Sequence, residues 1–373
     1  MIENRNHIQA LEYCTACPKL CTFACPASHV EGREVTTPWG KMSLLNLLRK
    51  GFLPLEEETA EPLFHCLACG LCTAYCKHDI DVGAIMTEGR AWLRENGISH
   101  PGLNGLAENF HKNGHASDKD LQGSLKNLLD ESLLTEEAEV VYIPGSRTIA
   151  ERPQEIKAVF SLFKKLGIDF VACAPADLCS GFELWKAGFS SEFKLHAKKI
   201  TDRLLNHRLI VTSDSEELYC LKSVYEELGH WTADRSRHIS DFLLPYVANA
   251  APLKKQHTAW IAQESSYLTR HLGEAEASRS ILAELFDSEP LTTGYDTGSI
   301  YPTGNEAVYE LTMPDNASRI ANERLEQIAP LAPELIVATD PAAAIMLDKR
   351  TDNNSPKVET LISILDKTIE EKK

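Results

Sequence analysis

The rhythm of apolar positions changes twice along the chain. In the first part the apolar residues come in helical runs. Residues 41–50, Lys41-Met42-Ser43-Leu44-Leu45-Asn46-Leu47-Leu48-Arg49-Lys50, lead into Gly51 and read as a helix with a glycine stop. Residues 85–95 read as a second helix, closing near Gly97. Residues 96–137 read as a connector, because Asn96-Gly97, His100-Pro101-Gly102, Asn104-Gly105 and Asn113-Gly114 are turn formers. Within it the spacing predicts one short amphipathic helix over residues 121–134.

From about residue 139 short β-branched runs alternate with helical ones. Residues 140–145 read as a strand and turn, 154–166 as a helix closed by Gly167, and 168–172 as a strand. Residues 191–205 read as a helix, 209–212 as a strand, and 216–228 as a helix closed by Gly229. Such alternation predicts α/β layers. The unit occurs twice. Leu209-Ile210-Val211-Thr212-Ser213-Asp214 echoes Leu335-Ile336-Val337-Ala338-Thr339-Asp340, and residues 140–145 correspond to 258–263. The break between the two falls at Ala248-Asn249-Ala250-Ala251-Pro252.

Composition narrows the function. The 373 residues suffice for a full hydrophobic core without metal or disulfide staples, so metal ligands here call for a functional reason. The net charge of −16 argues against a nucleic-acid binder and against docking on an anionic membrane. No apolar run reaches the length of a membrane span, and residues 1–11 lack the apolar centre of a secretory signal. A cytoplasmic protein is expected, its route to the inner membrane being through a partner. In that compartment eleven cysteines bind metal or do chemistry sooner than they form disulfides.

Eight of those cysteines lie in the first 76 residues, and the segment repeats internally: Cys14 to Cys66 and Cys17 to Cys69 are each 52 positions, Cys25 to Cys76 is 51. The second quartet, Cys66, Cys69, Cys72 and Cys76, has the C-x2-C-x2-C-x3-C spacing of a 4Fe–4S ferredoxin, in which the fourth cysteine usually serves the other cluster. The first quartet, Cys14, Cys17, Cys21 and Cys25, carries one extra residue and ends in Cys25-Pro26; Lys77 follows Cys76 where a proline is usual. With the exchange, cluster 1 takes Cys14, Cys17, Cys21 and Cys76, and cluster 2 takes Cys66, Cys69, Cys72 and Cys25. Zinc is the competing reading, but zinc sites usually combine two separated C-x2-C pairs, whereas each quartet here is compressed into one short run. His65 and His78 flank the second quartet and read as partly exposed surface, the alternative being a hydrogen bond to cluster sulfur. Cys173, Cys179 and Cys220 read as buried and inert or as reactive thiols. No Walker A loop, G-x-G-x-x-G, H-E-x-x-H or nucleophile elbow occurs. The fold class expected is α+β multidomain: a helical, ferredoxin-like two-cluster domain (1–100), a connector (101–137), and two related α/β lobes (138–250 and 251–373).

The quartets, with Thr37-Pro38-Trp39-Gly40-Lys41 between them, resemble the iron–sulfur subunits of glycolate oxidase, anaerobic glycerol-3-phosphate dehydrogenase and heterodisulfide reductase (the D-type subunit). That family has a Thr-Pro-Arg-Gly-Arg-like segment there; Trp39 and Lys41 stand in place of its arginines. The family also carries two CCG repeats, each with a Cys-Cys-Gly and a later Cys-x-x-Cys. Leu178-Cys179-Ser180-Gly181 resembles a Cys-Cys-Gly with one cysteine lost. Thr212-Ser213-Asp214-Ser215 and Ala338-Thr339-Asp340-Pro341 take the places of the later pairs, and residues 295–305 that of the second Cys-Cys-Gly, all without cysteine.

The resemblance implies an iron–sulfur electron-transfer subunit of an oxidoreductase complex with no catalytic residues of its own. It would relay electrons through two 4Fe–4S clusters from a flavoprotein dehydrogenase subunit to a downstream electron acceptor. The alternative is a heterodisulfide reductase-like thiol/disulfide enzyme using the residual cysteines of the α/β region.

Overall fold

The first long buried helix, Pro38–Arg49, starts where Thr37 caps it: the Thr37 hydroxyl accepts from the Gly40 N–H, and Pro38 fills the first turn, where its missing N–H costs nothing. Asn4 caps Arg5–Ala16 and Asp81 caps Val82–Glu95 in the same manner. The protein is described by a computed structural model covering residues 2, 4–19, 21–135, 137–250, 253–295, 297–352 and 355–370. Ala251 and Pro252, where the break between two α/β units is expected, lie outside the described residues. Leu11, Met42, Leu45, Leu48, Ile85, Met86 and Leu93 face one another in the core these three helices share. The helix expected over 85–95 begins three residues earlier, at its aspartate cap.

The 96–137 stretch holds more structure than its turn signals suggest. Gly105 and Gly114, both at positive φ, are the two ends of a helix, Leu106–Asn113. The amphipathic helix is shorter than expected, Leu121–Leu128, and is followed by a 3-10 turn, Glu131–Leu133.

Two parallel sheets follow. β1 (Val140–Ile143), β2 (Val171–Cys173), β3 (Leu209–Thr212) and β4 (Ser236–His238) are ordered β2-β1-β3-β4. β5 (Trp260–Gln263), β6 (Leu335–Ala338) and β7 (Lys357–Thr360) are ordered β5-β6-β7. β1 registers Val140 against both Val171 and Leu209; β5 registers Trp260 against Leu335. β1 and β6 are buried along their whole length, as expected for parallel strands covered on both faces. The helix expected over 216–228 runs unbroken from Ser215 to Glu227, with a π turn, Cys220–Val224, between its α-helical ends Ser215–Tyr219 and Tyr225–Glu227. Among the described residues no helix is long and apolar enough to cross a membrane.

The turns after β3 and β6 behave as their sequence suggests. Asp214 accepts from the N–H groups of Glu216 and Glu217, and Asp340 from that of Ala342, so both cap helices. Asp340 also accepts from the Ser215 N–H at 3.0 Å, tying the two turns together. Burial pushes the Asp214 carboxyl up to about 7, helped by Asp340, and pushes Glu217 up to about 8, helped by Asp214. Both therefore hold protons in the folded state at pH values where the unfolded chain has lost them. Their contribution to stability is present at low pH and is lost as pH rises through the folded values. The thermal midpoint should fall between about pH 5 and about pH 8. Asp214→Asn, which keeps the cap, should flatten that fall in differential scanning fluorimetry; an undiminished slope would remove Asp214 from the account.

The helical region and the sheets are not separate globules. Val141, Ile143 and Phe182 belong to the same core as Leu45 and Met86. Arg90, on Val82–Glu95, donates to the Lys186 carbonyl at 3.1 Å. The segment around Cys69 packs with Ile261, Tyr301 and Tyr309 of the C-terminal part. The cysteine segments are thus clamped between the helices and the sheets.

Candidate metal centre

Local structure turns each cysteine toward one of two adjoining cavities. Cys14 lies in the last turn of Arg5–Ala16, and Cys17 ends that helix in an extended conformation. Cys25 precedes Pro26, which opens the helix Pro26–Glu31. Ala68 and Gly70, both at positive φ, curl the chain between Cys66 and Cys72. Cys14, Cys17, Cys21 and Cys76 line a cavity of about 410 Å³ together with Tyr13, Trp39, Lys77 and His78. Cys25, Cys66, Cys69 and Cys72 line a narrower, deeper one. Pro38, Val82 and Cys72 reach both, so the two spaces share a wall.

The last cysteine of each sequence quartet therefore sits with the first three of the other. Charge coupling follows the same grouping. Apart from burial, the neighbours that raise Cys14 are Cys21, Cys76 and Cys17; those that raise Cys72 are Cys69, Cys66 and Cys25 before Cys21.

The thiols suit metal better than nucleophilic chemistry. Burial above all pushes Cys14 and Cys69 up to about 12 and Cys21 up to about 11. At neutral pH such groups stay protonated unless a metal displaces the proton. Among the described residues no three His, Cys, Asp or Glu side chains close to single-ion spacing. Four soft sulfur donors arranged around a space, not a point, fit a polynuclear iron–sulfur group.

Three cations surround the deeper cavity. Lys41, 1% exposed, donates to the His65 carbonyl at 2.8 Å and lies 3.7 Å from Cys25 Sγ. Burial alone would lower its pKa, but Cys25, Cys66 and Cys72, once they have lost their protons, and Glu31 more than offset this and raise it. Arg90, buried, donates to the carbonyls of Leu63, Phe64, Cys66 and Lys186. Arg270, partly buried, donates to the Cys69 and Ile300 carbonyls, each at 2.7 Å, and to Ser266. All these acceptors apart from the thiol are neutral. Sequence reasoning noticed Lys41 only as a replacement within a motif, and missed Arg90 and Arg270. The one available signal was a lysine on the apolar face of the Pro38–Arg49 helix.

The histidines divide. His78 is exposed at the rim of the outer cavity, as expected. His65 is not surface: it is 3% exposed, with Nδ1 2.8 Å from Glu31 and Nε2 2.5 Å from Glu61. Cys173, Cys179 and Cys220 are buried at separate carbonyl contacts, those of Ala174, Gly114 and Ser180. Burial raises Cys173 to about 12 and holds the other two well above the ordinary thiol range. Gly181, of the degenerate Cys-Cys-Gly, keeps its glycine for a physical reason: φ is +75°, and a Cβ would lie 2.7 Å from His196. Asp296, within residues 295–305, lies outside the described residues.

Residues 10–80 match the 4Fe-4S dicluster domain family. The D-type subunit of the dihydromethanophenazine:CoB–CoM heterodisulfide reductase of Methanosarcina acetivorans is 22% identical over 316 residues, covering 74% of each chain. A probable glycolate oxidase iron-sulfur subunit of Bacillus subtilis is 23% identical over 174 residues, 41% of this chain and 39% of that one. These are relatives of the kind that the quartets and the Thr37–Lys41 segment pointed to.

Proposed function

We propose that this relative of the D-type heterodisulfide reductase subunit and of the glycolate oxidase iron–sulfur subunit uses its 4Fe-4S dicluster domain to hold two cubanes, one per cavity, and relays electrons in an oxidoreductase complex. Cys14, Cys17, Cys21 and Cys76 hold the outer one; Cys25, Cys66, Cys69 and Cys72 hold the inner one. When bound, such groups supply one-electron transfer. The observation that carries the reading is the exchange of the fourth cysteine between two cavities that share a wall.

The remaining residues do the work of a relay housing. Trp39 and Pro38 wall the outer cavity, Lys41 and Arg90 set the field of the inner one, and the sheets cover the inner face. The donor is a flavoprotein dehydrogenase subunit, since the chain has no nicotinamide or flavin motif of its own. A downstream acceptor receives the electrons. The α/β region serves for docking and shielding. Its three cysteines are buried, and burial holds each thiol well above the ordinary range, which favours this reading over thiol/disulfide catalysis.

Protein purified without oxygen should be brown and carry about eight iron atoms per chain. A flavoprotein should co-purify, and the isolated chain should not turn over hydroxy acids. Stoichiometric zinc with little iron would overturn the cluster reading; turnover by the isolated chain would overturn the relay.

A further inference from the structure

We infer that the inner site is the electron sink of the pair, held at the higher potential by Lys41, Arg90 and Arg270, so that electrons enter through the outer mouth and settle inward. This rests on the two-cluster reading above.

Charge around the inner cavity is out of balance. Among the described residues, no carboxylate lies within ion-pair distance of Lys41, Arg90 or Arg270; their hydrogen bonds go to carbonyls, one serine and the Cys25 sulfur. A buried cation facing only neutral acceptors is costly unless an anion shares its space. The inner cavity supplies that anion: a cubane with four thiolates carries a net charge of about −2 when oxidised and about −3 once reduced by one electron. The same three cations that compensate the oxidised form stabilise the added electron further, because opposite charges at this range attract strongly away from water.

Two effects oppose this. Burial itself disfavours the more highly charged reduced form, and Glu31 and Glu306 stand nearby. Both are moderated. Glu31 is engaged by His65, Tyr309 and Asn316. Burial raises the Glu306 pKa, favouring its neutral form. The Ala68 N–H also donates to Cys66 Sγ at 3.4 Å, a dipole that replaces part of the lost water. Three positive charges against two nearby carboxylates, Glu31 and Glu306, leave the inner site electropositive. Among the described residues that line it, the outer cavity has no buried cation. Of its lining, Lys77 and His78 are exposed, where solvent screens them. Lys19, close by, stacks on Trp39 and pairs with Glu34.

The direction of flow follows. One electron arrives at the outer site from the donor, passes across the shared wall formed by Pro38, Val82 and Cys72, and rests at the inner site, where the positive charge is. The donor face is then the outer mouth, where Tyr13 is exposed in the lining. Lys41, Arg90 and Arg270 are positioning residues for charge, not catalytic groups.

The test is an anaerobic redox titration of the full chain, followed by electron paramagnetic resonance. The signal altered by Cys69→Ser identifies the inner cluster. In the unaltered chain that signal should develop first as the potential is lowered. Lys41→Met should move its midpoint negative by at least a tenfold change in the reduced-to-oxidised ratio, about 59 mV for one electron. The outer midpoint should stay in place, and Lys41→Arg should restore the inner one. If Lys41→Met does not assemble both clusters, Arg270→Gln, from a residue outside the cysteine segments, should give a shift of the same sign. An unmoved inner midpoint in an assembled variant, or an outer cluster that reduces first, overturns the inference while leaving the two-cluster reading intact. A single cluster in the unaltered chain overturns that reading, and this inference with it.

Discussion

Cys76→Ser should cost the chain the cluster held mainly by Cys14, Cys17 and Cys21, and Cys25→Ser the cluster held mainly by Cys66, Cys69 and Cys72. In each variant iron should drop from about eight to about four per chain. The expectation is counter-intuitive from sequence, because each cysteine lies in the quartet whose cluster is spared. It follows from the cavities: Cys76 lines the outer one and Cys25 the inner one. Serine offers a harder oxygen in place of the soft thiolate that an iron–sulfur centre prefers. Cys72 touches both spaces, but its strongest charge coupling is to Cys69, Cys66 and Cys25, so Cys72→Ser should resemble Cys25→Ser. Mössbauer spectroscopy with a resonance assignment of the surviving cluster decides the matter. Loss of the cluster belonging to the mutated quartet itself would contradict the exchange.

What the sequence discloses about this centre is whatever depends on local spacing. Cysteines two or three residues apart must curl around something, and the strands after residue 139 carry their own β-branched runs. The capping turns at Asp214 and Asp340 are equally local, since an aspartate before a helix needs only the next few N–H groups. The opaque features are those made by distant partners. Arg270 meets Cys69 across 201 positions, and Arg90 meets Lys186 across 96. No spacing rule links such pairs. His65 misleads for the same reason: its burial is created by Glu31, 34 positions earlier, and by Glu61, one helical turn away. In Leu106–Asn113 the difficulty is different. Asn-Gly at both ends signals turns, but here the two glycines bracket a helix of eight residues, and a window that short shows little periodicity.

The five residues Thr37 to Lys41 carry the largest remaining consequence, through the smallest of them. Gly40→Ala should reduce iron in both sites at once and lower the thermal midpoint, although it removes no ligand and no charge. Gly40 sits inside a helix at ordinary φ, so left-handed geometry is not the reason for glycine. A Cβ there would press on the carbonyl oxygen of Glu34 and lie 2.7 Å from that of Val35. Both neighbours are backbone, so neither can swing aside as a side chain would. Overpacking of a tight site typically costs about 1–3 kcal/mol. Relief requires the start of the Pro38–Arg49 helix to move away from residues 34–35. That start carries Pro38, which walls both cavities, Trp39, which walls the outer one, and Lys41, which reaches Cys25 in the inner one. A shift of the helix therefore disturbs both thiol sets together, where any single cysteine substitution disturbs one. Gly298→Ala, where no atom lies within 4 Å of the added Cβ, is the control and should keep full iron and an unchanged midpoint. Full iron in both sites of Gly40→Ala would mean that the 34–35 backbone yields to the new methyl group, and that the segment does not couple the two cavities.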